Sequence, residues 1–431
     1  MGVDSHPLTQ LRVFVLPSGG PAAAVGGRPR RGYFAVLALL LAACSQAEAT
    51  PLPPAPEMTT LPPVVSTPTT TNTTTERPSL AAPNSNLAAG EATTTTTTTL
   101  PSSNELALEP IETIYGDIAP KSIVATNHGL FFAQNMMYRH TVTVYDDSFE
   151  LVATIPDEVE IGGEIYKGSP VEAVPTSDGA YVYVSNYRIY GPGYYRAGGD
   201  ECDLGSWDES FVYRISTETL EIDQIIPAGA VPKFLAITPD DSTLLVTNWC
   251  SFDMSIIDTD AGDEIGRVEL GRHPRGIAVT SDGGTAYVAV MGSSNIAVVD
   301  LATLEVGWMR SVGANPRHLV LDSTDRYLYA TLNGDDRVIC IDTRTAEVTH
   351  RIRTGDAPRS MAISDDDLTL YVVNYESDTM TRINARTMEI LETFSVPPGP
   401  IGITFDDASR RVWVASYTGS ITAFAHPASF Q

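Results

Sequence analysis

A proline returns at Pro120, Pro170, Pro232, Pro274, Pro316, Pro358 and Pro400, and the last four intervals are each 42 residues. The first two are longer, at 50 and 62. A period of this size, built from short β-forming runs with no helical periodicity, predicts an all-β chain in which each repeat is one blade of a β-propeller, typically about 40–45 residues long. Seven prolines predict seven blades.

The stretch from Pro274 to Asp300 shows the unit most clearly. Arg275 to Thr280 reads as the innermost strand, and Ser281-Asp282-Gly283-Gly284 as a tight hairpin turn whose Asp and Gly suit the conformation required. Thr285 to Val290 is the second strand, Asn295 to Val299 the third, and Leu304 to Val312 the outermost. Their two faces are both apolar, as expected of sheets covered on either side by a neighbour. The segment Glu109 to Gly116 precedes Pro120 as an outer strand precedes every other proline, yet no blade stands before it. The last unit, Pro400 to Ala425, holds only three strands. Both facts are met if Ile111 to Tyr115 completes the last blade against Ser420 to Phe424, which closes the ring and removes two exposed sheet edges.

Near the end of the second strand, Leu245-Val246-Thr247-Asn248, Tyr371-Val372-Val373-Asn374, Tyr183-Val184-Ser185-Asn186 and, more loosely, Phe132-Ala133-Gln134-Asn135 resemble the tetrapeptide of the YVTN-family β-propellers. Val290, Leu332 and Ser416 take the place of the Asn in the other three repeats. The resemblance covers roughly the last three quarters of the chain and implies a seven-bladed propeller of four-stranded blades. It implies no single function, because such propellers serve binding, scaffolding and catalysis alike.

The chain divides at sequence level into residues 1–43, 44–105 and 106–431. Arg28, Arg30 and Arg31 precede the apolar run Tyr33 to Ala43, the pattern of a secretory signal and too short to span a membrane. Leu41-Ala42-Ala43-Cys44 resembles a bacterial lipobox, which implies cleavage before Cys44, lipidation of that cysteine and an extracytoplasmic, membrane-anchored protein; an ordinary signal peptide containing a cysteine is the alternative. Residues 45–104 are dominated by Thr, Pro, Ala and Ser and lack the apolar content of a core. They read as a disordered tether whose coil dimension is roughly 40–45 Å. The propeller itself is the third segment, expected to be monomeric.

The second repeat owes its extra length to a loop between its second and third strands, Tyr187 to about Ser210, carrying Tyr194, Tyr195 and Trp207. Aromatic loops on rigid scaffolds are common recognition surfaces, and a simple cap on the blade is the equal alternative. Cys202 in this loop and Cys250 in the corresponding loop of the third repeat fall on one face. They are expected to pair, and closing 48 residues contributes about 4 kcal/mol on the loop-entropy account. Cys340 lies within a strand and reads as a buried apolar residue.

The chain carries a formal charge of −26, and removing the four arginines and one aspartate of residues 1–43 leaves −29. Such a surface disfavours nucleic acid. Many of the acids fall in turns and need no catalytic role. Against this background the residue after each proline reads Lys121, Val171, Lys233, Arg275, Arg317, Arg359 and Ile401. Five cations at the head of the innermost strands should ring one mouth of the central channel, on the face that also holds Asn135, Asn186, Asn248, Asn374 and Trp249. One reading makes this face a binding surface for a small anionic ligand or an unidentified protein. The other pairs each cation with a carboxylate of its own or the next blade.

Catalytic patterns are thin. The histidines are scattered, no metal-ligand spacing is present, and no cofactor is expected. Similar propellers include lactonases and quinoprotein dehydrogenase subunits, so a secreted lactonase or oxidoreductase subunit is the alternative function. A metal-dependent lactonase would need Glu172 to converge with the four asparagines.

Overall fold

The structure, a computed structural model, describes residues 101–426 apart from 197, 203, 204 and 206. The segment read as a signal, Cys44 and the stretch read as a tether, up to residue 100, lie outside the described residues. Seven antiparallel four-stranded sheets follow one another as blades. In the fourth, Pro274–Val279, Thr285–Val290, Asn295–Asp300 and Val306–Met309 run from the channel outward. The outer strand is shorter than the sequence predicts. Leu304 and Ser311 both adopt positive φ, and the N–H of Leu304 closes a turn onto the Asp300 carbonyl, so pairing is confined to the residues between them.

The seventh blade is closed by the N-terminal strand Glu109–Tyr115, which pairs antiparallel with Ser420–Ala425, Tyr115 opposite Ser420 and Glu109 opposite Ala425. The docked segment begins earlier than the expected boundary at residue 106. Ser103 is fully buried, its hydroxyl donates to Asp366 at 2.6 Å, and the Ala107 carbonyl lies 2.8 Å from a ring nitrogen of His426. Each of the seven blade interfaces holds its own apolar cluster, such as Ile296, Leu319, Leu328 and Ile339 between blades four and five. Stability of this kind is a sum of neighbour contacts, and the ring leaves no blade without two neighbours.

The turn acids are structural, as their spacing predicts. The Asp282 carboxylate accepts from the Thr280 hydroxyl at 2.6 Å and from the Gly284 N–H at 2.9 Å. Others staple blades together: Ser177 donates to Asp241 and Ser281 to Asp325 of the next blade.

Both departures from the 42-residue period belong to one annex. The 50-residue interval holds a hairpin absent from the sequence reading, Glu158–Ile161 with Glu164–Lys167, between blades one and two. Lys167 pairs in turn with Tyr190 of the long loop, their N–H and C=O groups exchanging bonds of 2.9 and 2.8 Å. Tyr166 of the hairpin meets Tyr194 of the loop edge to face, with ring centres 5.8 Å apart.

Candidate functional site

The head of the innermost strand is irregular in six blades. In blade four Pro274 sits opposite Val290 but Ile277 opposite Val288, so the residues between them are bulged out of the ladder, and blades two, three, five, six and seven show the same shift. A bulge re-aims a side chain. Here it is the residue after the proline, and Lys121, Lys233, Arg275 and Arg317 are gathered close enough at the channel to perturb one another.

The five cations do not share one fate. Glu172, two residues after Pro170, lies 3.3 Å from both the Lys121 Nζ and the Arg275 Nη2, and all three are buried. Burial alone would raise its carboxyl, but Lys121 and Arg275 outweigh that and hold it below the usual range. Lys233 donates to Asp200 at 3.0 Å, and burial beside Arg275 and Arg317 still pushes its amine down to about 7. Arg317 is also buried, but among the described residues its side chain donates to the Met291 sulfur at 3.9 Å, and its Nε has no partner. Burial, with Arg275 and Arg359 beside it, pushes the guanidinium well below its ordinary value. The half-buried Arg359 lies over the Tyr375 ring at 4.1 Å, its Nε likewise unpartnered. His318, next to Arg317, is driven down to about 4 by burial and the neighbouring cations, and is neutral at pH 7.

Beside the cations stands a collar of which the sequence reading named only Tyr187, as part of the long loop, and Trp249. The residue after each second strand is Met136, Tyr187, Trp249, Met291, Asn333, Tyr375 or Tyr417, and in six blades its N–H is clipped to the loop before the proline, as Trp249 is to the Val231 carbonyl at 2.9 Å. The signal lay one residue past the tetrapeptide, where four of the seven repeats are aromatic. Lys233 sits between two of these rings, 4.3 Å from that of Tyr187 and 5.1 Å from that of Trp249.

The long loop covers the Lys233 side of the mouth. Cys202 and Cys250 form the expected disulfide, with Cα atoms 5.3 Å apart, and Cys340 is free and buried. Asp200 accepts from Lys233 and, at 3.1 Å, from the Tyr187 hydroxyl, while its carbonyl accepts from the Trp249 indole at 2.9 Å. Trp207 packs against this cluster. Tyr194 packs into the annex against Tyr166 and Phe211, and Tyr195 is 84 % exposed. Neither reaches the basic ring through a ring or ion contact shown by the structure.

The asparagines are placed for the blade. Asn135, Asn186, Asn248 and Asn374 are all fully buried. The Asn248 amide donates to Asp253 and Ser255 at 2.8 and 2.9 Å, that of Asn374 to Thr381 at 2.9 Å, and that of Asn135 to Thr143 at 3.0 Å, while Asn186 accepts the Ser169 N–H at 3.1 Å. They latch the second strand to the third or to the incoming loop, and Glu172 faces cations. Among the described residues no group of three or more His, Cys, Asp or Glu side chains is arranged to hold a metal ion.

Residues 263–426 match the family model of the YNCE-like beta-propellers. No curated protein matches the chain. Among solved structures, a chain of Kuenenia stuttgartiensis hydrazine synthase is similar at 18 % identity over 73 % of this chain and 98 % of that one, with a TM-score of 0.59, a likeness that shows the fold alone. With seven four-stranded blades and a closing N-terminal strand, the chain is a seven-bladed β-propeller, and its blades four to seven carry the YNCE-like family match.

Proposed function

We propose that this is an exported, lipid-anchored propeller that binds an anionic group, of the carboxylate or oxyanion class, at the cationic channel mouth. One observation carries the reading: among the described residues, Arg317 and Arg359 have no carboxylate partner at the mouth. Among the described residues, Lys121, Lys233 and Arg275 pair with two acids, Glu172 and Asp200, and neither Arg317 nor Arg359 forms an ion pair. A buried guanidinium beside a half-buried one is costly unless an anion joins them, and a planar fork of N–H donors suits a carboxylate. The anchor rests on the Arg-rich and apolar leader ending at Cys44, and the tether would hold the face away from the bilayer.

Calorimetric titration with citrate and sulfate tests it. Wild type should bind with an affinity that falls as salt rises, and the Arg317→Met/Arg359→Met double variant should lose at least tenfold. Equal binding by the two proteins would remove the arginines from the function.

A further inference from the structure

Repeats allow a residue to be judged against its own counterparts. In blades one, three, four, five and six the residue closing the outer strand donates its N–H to the residue before the third strand: Asp157 to His140, Leu270 to Phe252, Val312 to Ser294, Thr354 to Asp336 and Val396 to Asp378. Leu270, Val312 and Val396 are buried aliphatic side chains, and Thr354 is half-buried. Blade one puts a carboxylate there. Asp157 is 3 % exposed, and neither of its carboxylate oxygens has a hydrogen-bond partner among the described residues. Such a group is strongly unfavourable in the interior unless something pairs with it.

Its surroundings are built from the annex. Asp157 lines a cleft of about 490 Å³ with Arg139, His140, Thr141, Pro156, Glu158, Lys167 and Tyr190. Gly168 crosses beside it so closely that a Cβ there would lie 2.2 Å from the Asn186 Oδ1 and 2.5 Å from the Asp157 Oδ1. The hydroxyl of Tyr213 and the Nδ2 of Asn186 are buried and likewise have no partner among the described residues, and Tyr213 feels the Asp157 charge. The other charged groups of the cleft are already matched, Arg139 with Asp117 and Lys167 with Glu158, and a ring nitrogen of His140 lies 2.7 Å from the Gly168 carbonyl. One uncompensated acid is left.

We propose that this cleft is a second binding site, accepting a primary ammonium group that pairs with Asp157. A single carboxylate is a poor donor set for a divalent ion, which takes several oxygen ligands. An alkylammonium needs one ionised acceptor, and the cleft that would receive its stem is lined by Pro156 and Tyr190. Burial raises the empty Asp157 carboxyl well above its usual range. Ligand entry therefore ionises it, and a proton leaves as the ammonium arrives.

The ammonium can come from a free alkylamine or from a lysine side chain, and n-butylammonium and N-acetyl-lysine methylamide separate these sources. Calorimetry on the full chain at pH 7, in two buffers of different ionisation enthalpy, should show binding with up to one proton released per ligand and at least tenfold loss in Asp157→Asn. Response to the lysine amide alone would assign the site to a lysine side chain, and response to both to amines in general. Asp157→Val restores the aliphatic residue of the other blades, so it should abolish binding while raising Tm by a few degrees. No binding of either amine, binding unchanged in Asp157→Asn, an equal response to Na⁺, or a lowered Tm in Asp157→Val would each overturn the proposal.

Discussion

Two halves of one ring of cations differ in what completes them. On the side of blades one to four, Lys121, Arg275 and Lys233 end on carboxylates, and a disulfide-tied loop covers the last of them. On the side of blades five and six, Arg317 ends near a thioether and Arg359 on a tyrosine ring. All five hold the same place in the repeat. The difference comes from outside it: Glu172 stands where blades four and seven have Gly276 and Gly402, and Asp200 arrives on the loop inserted into blade two. Equivalence by repeat sets where a side chain points, and departures from the repeat set what it does there.

The sharpest way to break this comparison is Glu172→Ala, which strips Lys121 and Arg275 of their shared counter-charge. Leaving a buried charge unpaired costs about 3–5 kcal/mol, and two such charges place the expected loss toward the upper end. Urea unfolding measures it, and a loss below about 1 kcal/mol would mean that the completed half is not held by these pairs. Next, Cys202→Ser/Cys250→Ser should lower stability by about 4 kcal/mol on the loop-entropy account. A much smaller loss would show that the contacts of Asp200 and Arg272 order the loop without the bond.

A pH effect follows from Lys233. Its amine is near 7 when folded and has a reference value of 10.5. Between those values the unfolded chain binds the extra proton, so stability rises with pH, and the cost of burying the charge is full below about 7 and gone above about 10. Wild type should therefore gain Tm relative to Lys233→Met between pH 7 and 9.5. A constant difference would mean that Asp200 keeps the lysine charged throughout. The smallest effect, and the one of opposite sign, belongs to the other half: Arg317→Met and Arg359→Met should each change stability by about 1 kcal/mol or less, toward greater stability. A loss as large as that of Glu172→Ala would erase the distinction between the halves.

Most of the architecture was legible because a propeller writes its period into the chain. The seven prolines located the innermost strands, the three-strand last unit required the closing strand, and the shared face of two loops paired Cys202 with Cys250. The site was half legible. The regular place of the residue after each proline made the basic ring readable, but the partner of each cation depends on which residues cross the channel, and spacing along the chain does not encode that. The asparagines looked available because their place on the strand is regular. Their amides turn back to the third strand or the incoming loop, a side-chain choice invisible in a pattern. The hairpin at Glu158–Lys167 was hidden in an interval only eight residues too long, and Asp157 was passed over as one acid among many. Aligning the closing residue of each outer strand would have exposed it.

The central claim is that the half with unpaired arginines holds an anion while the completed half does not. Anomalous diffraction from crystals soaked in selenate tests this directly. A peak between Arg317 and Arg359, absent beside Lys233 and Arg275, is the predicted result. A peak at Lys233 or Arg275, or none at the mouth, would contradict it.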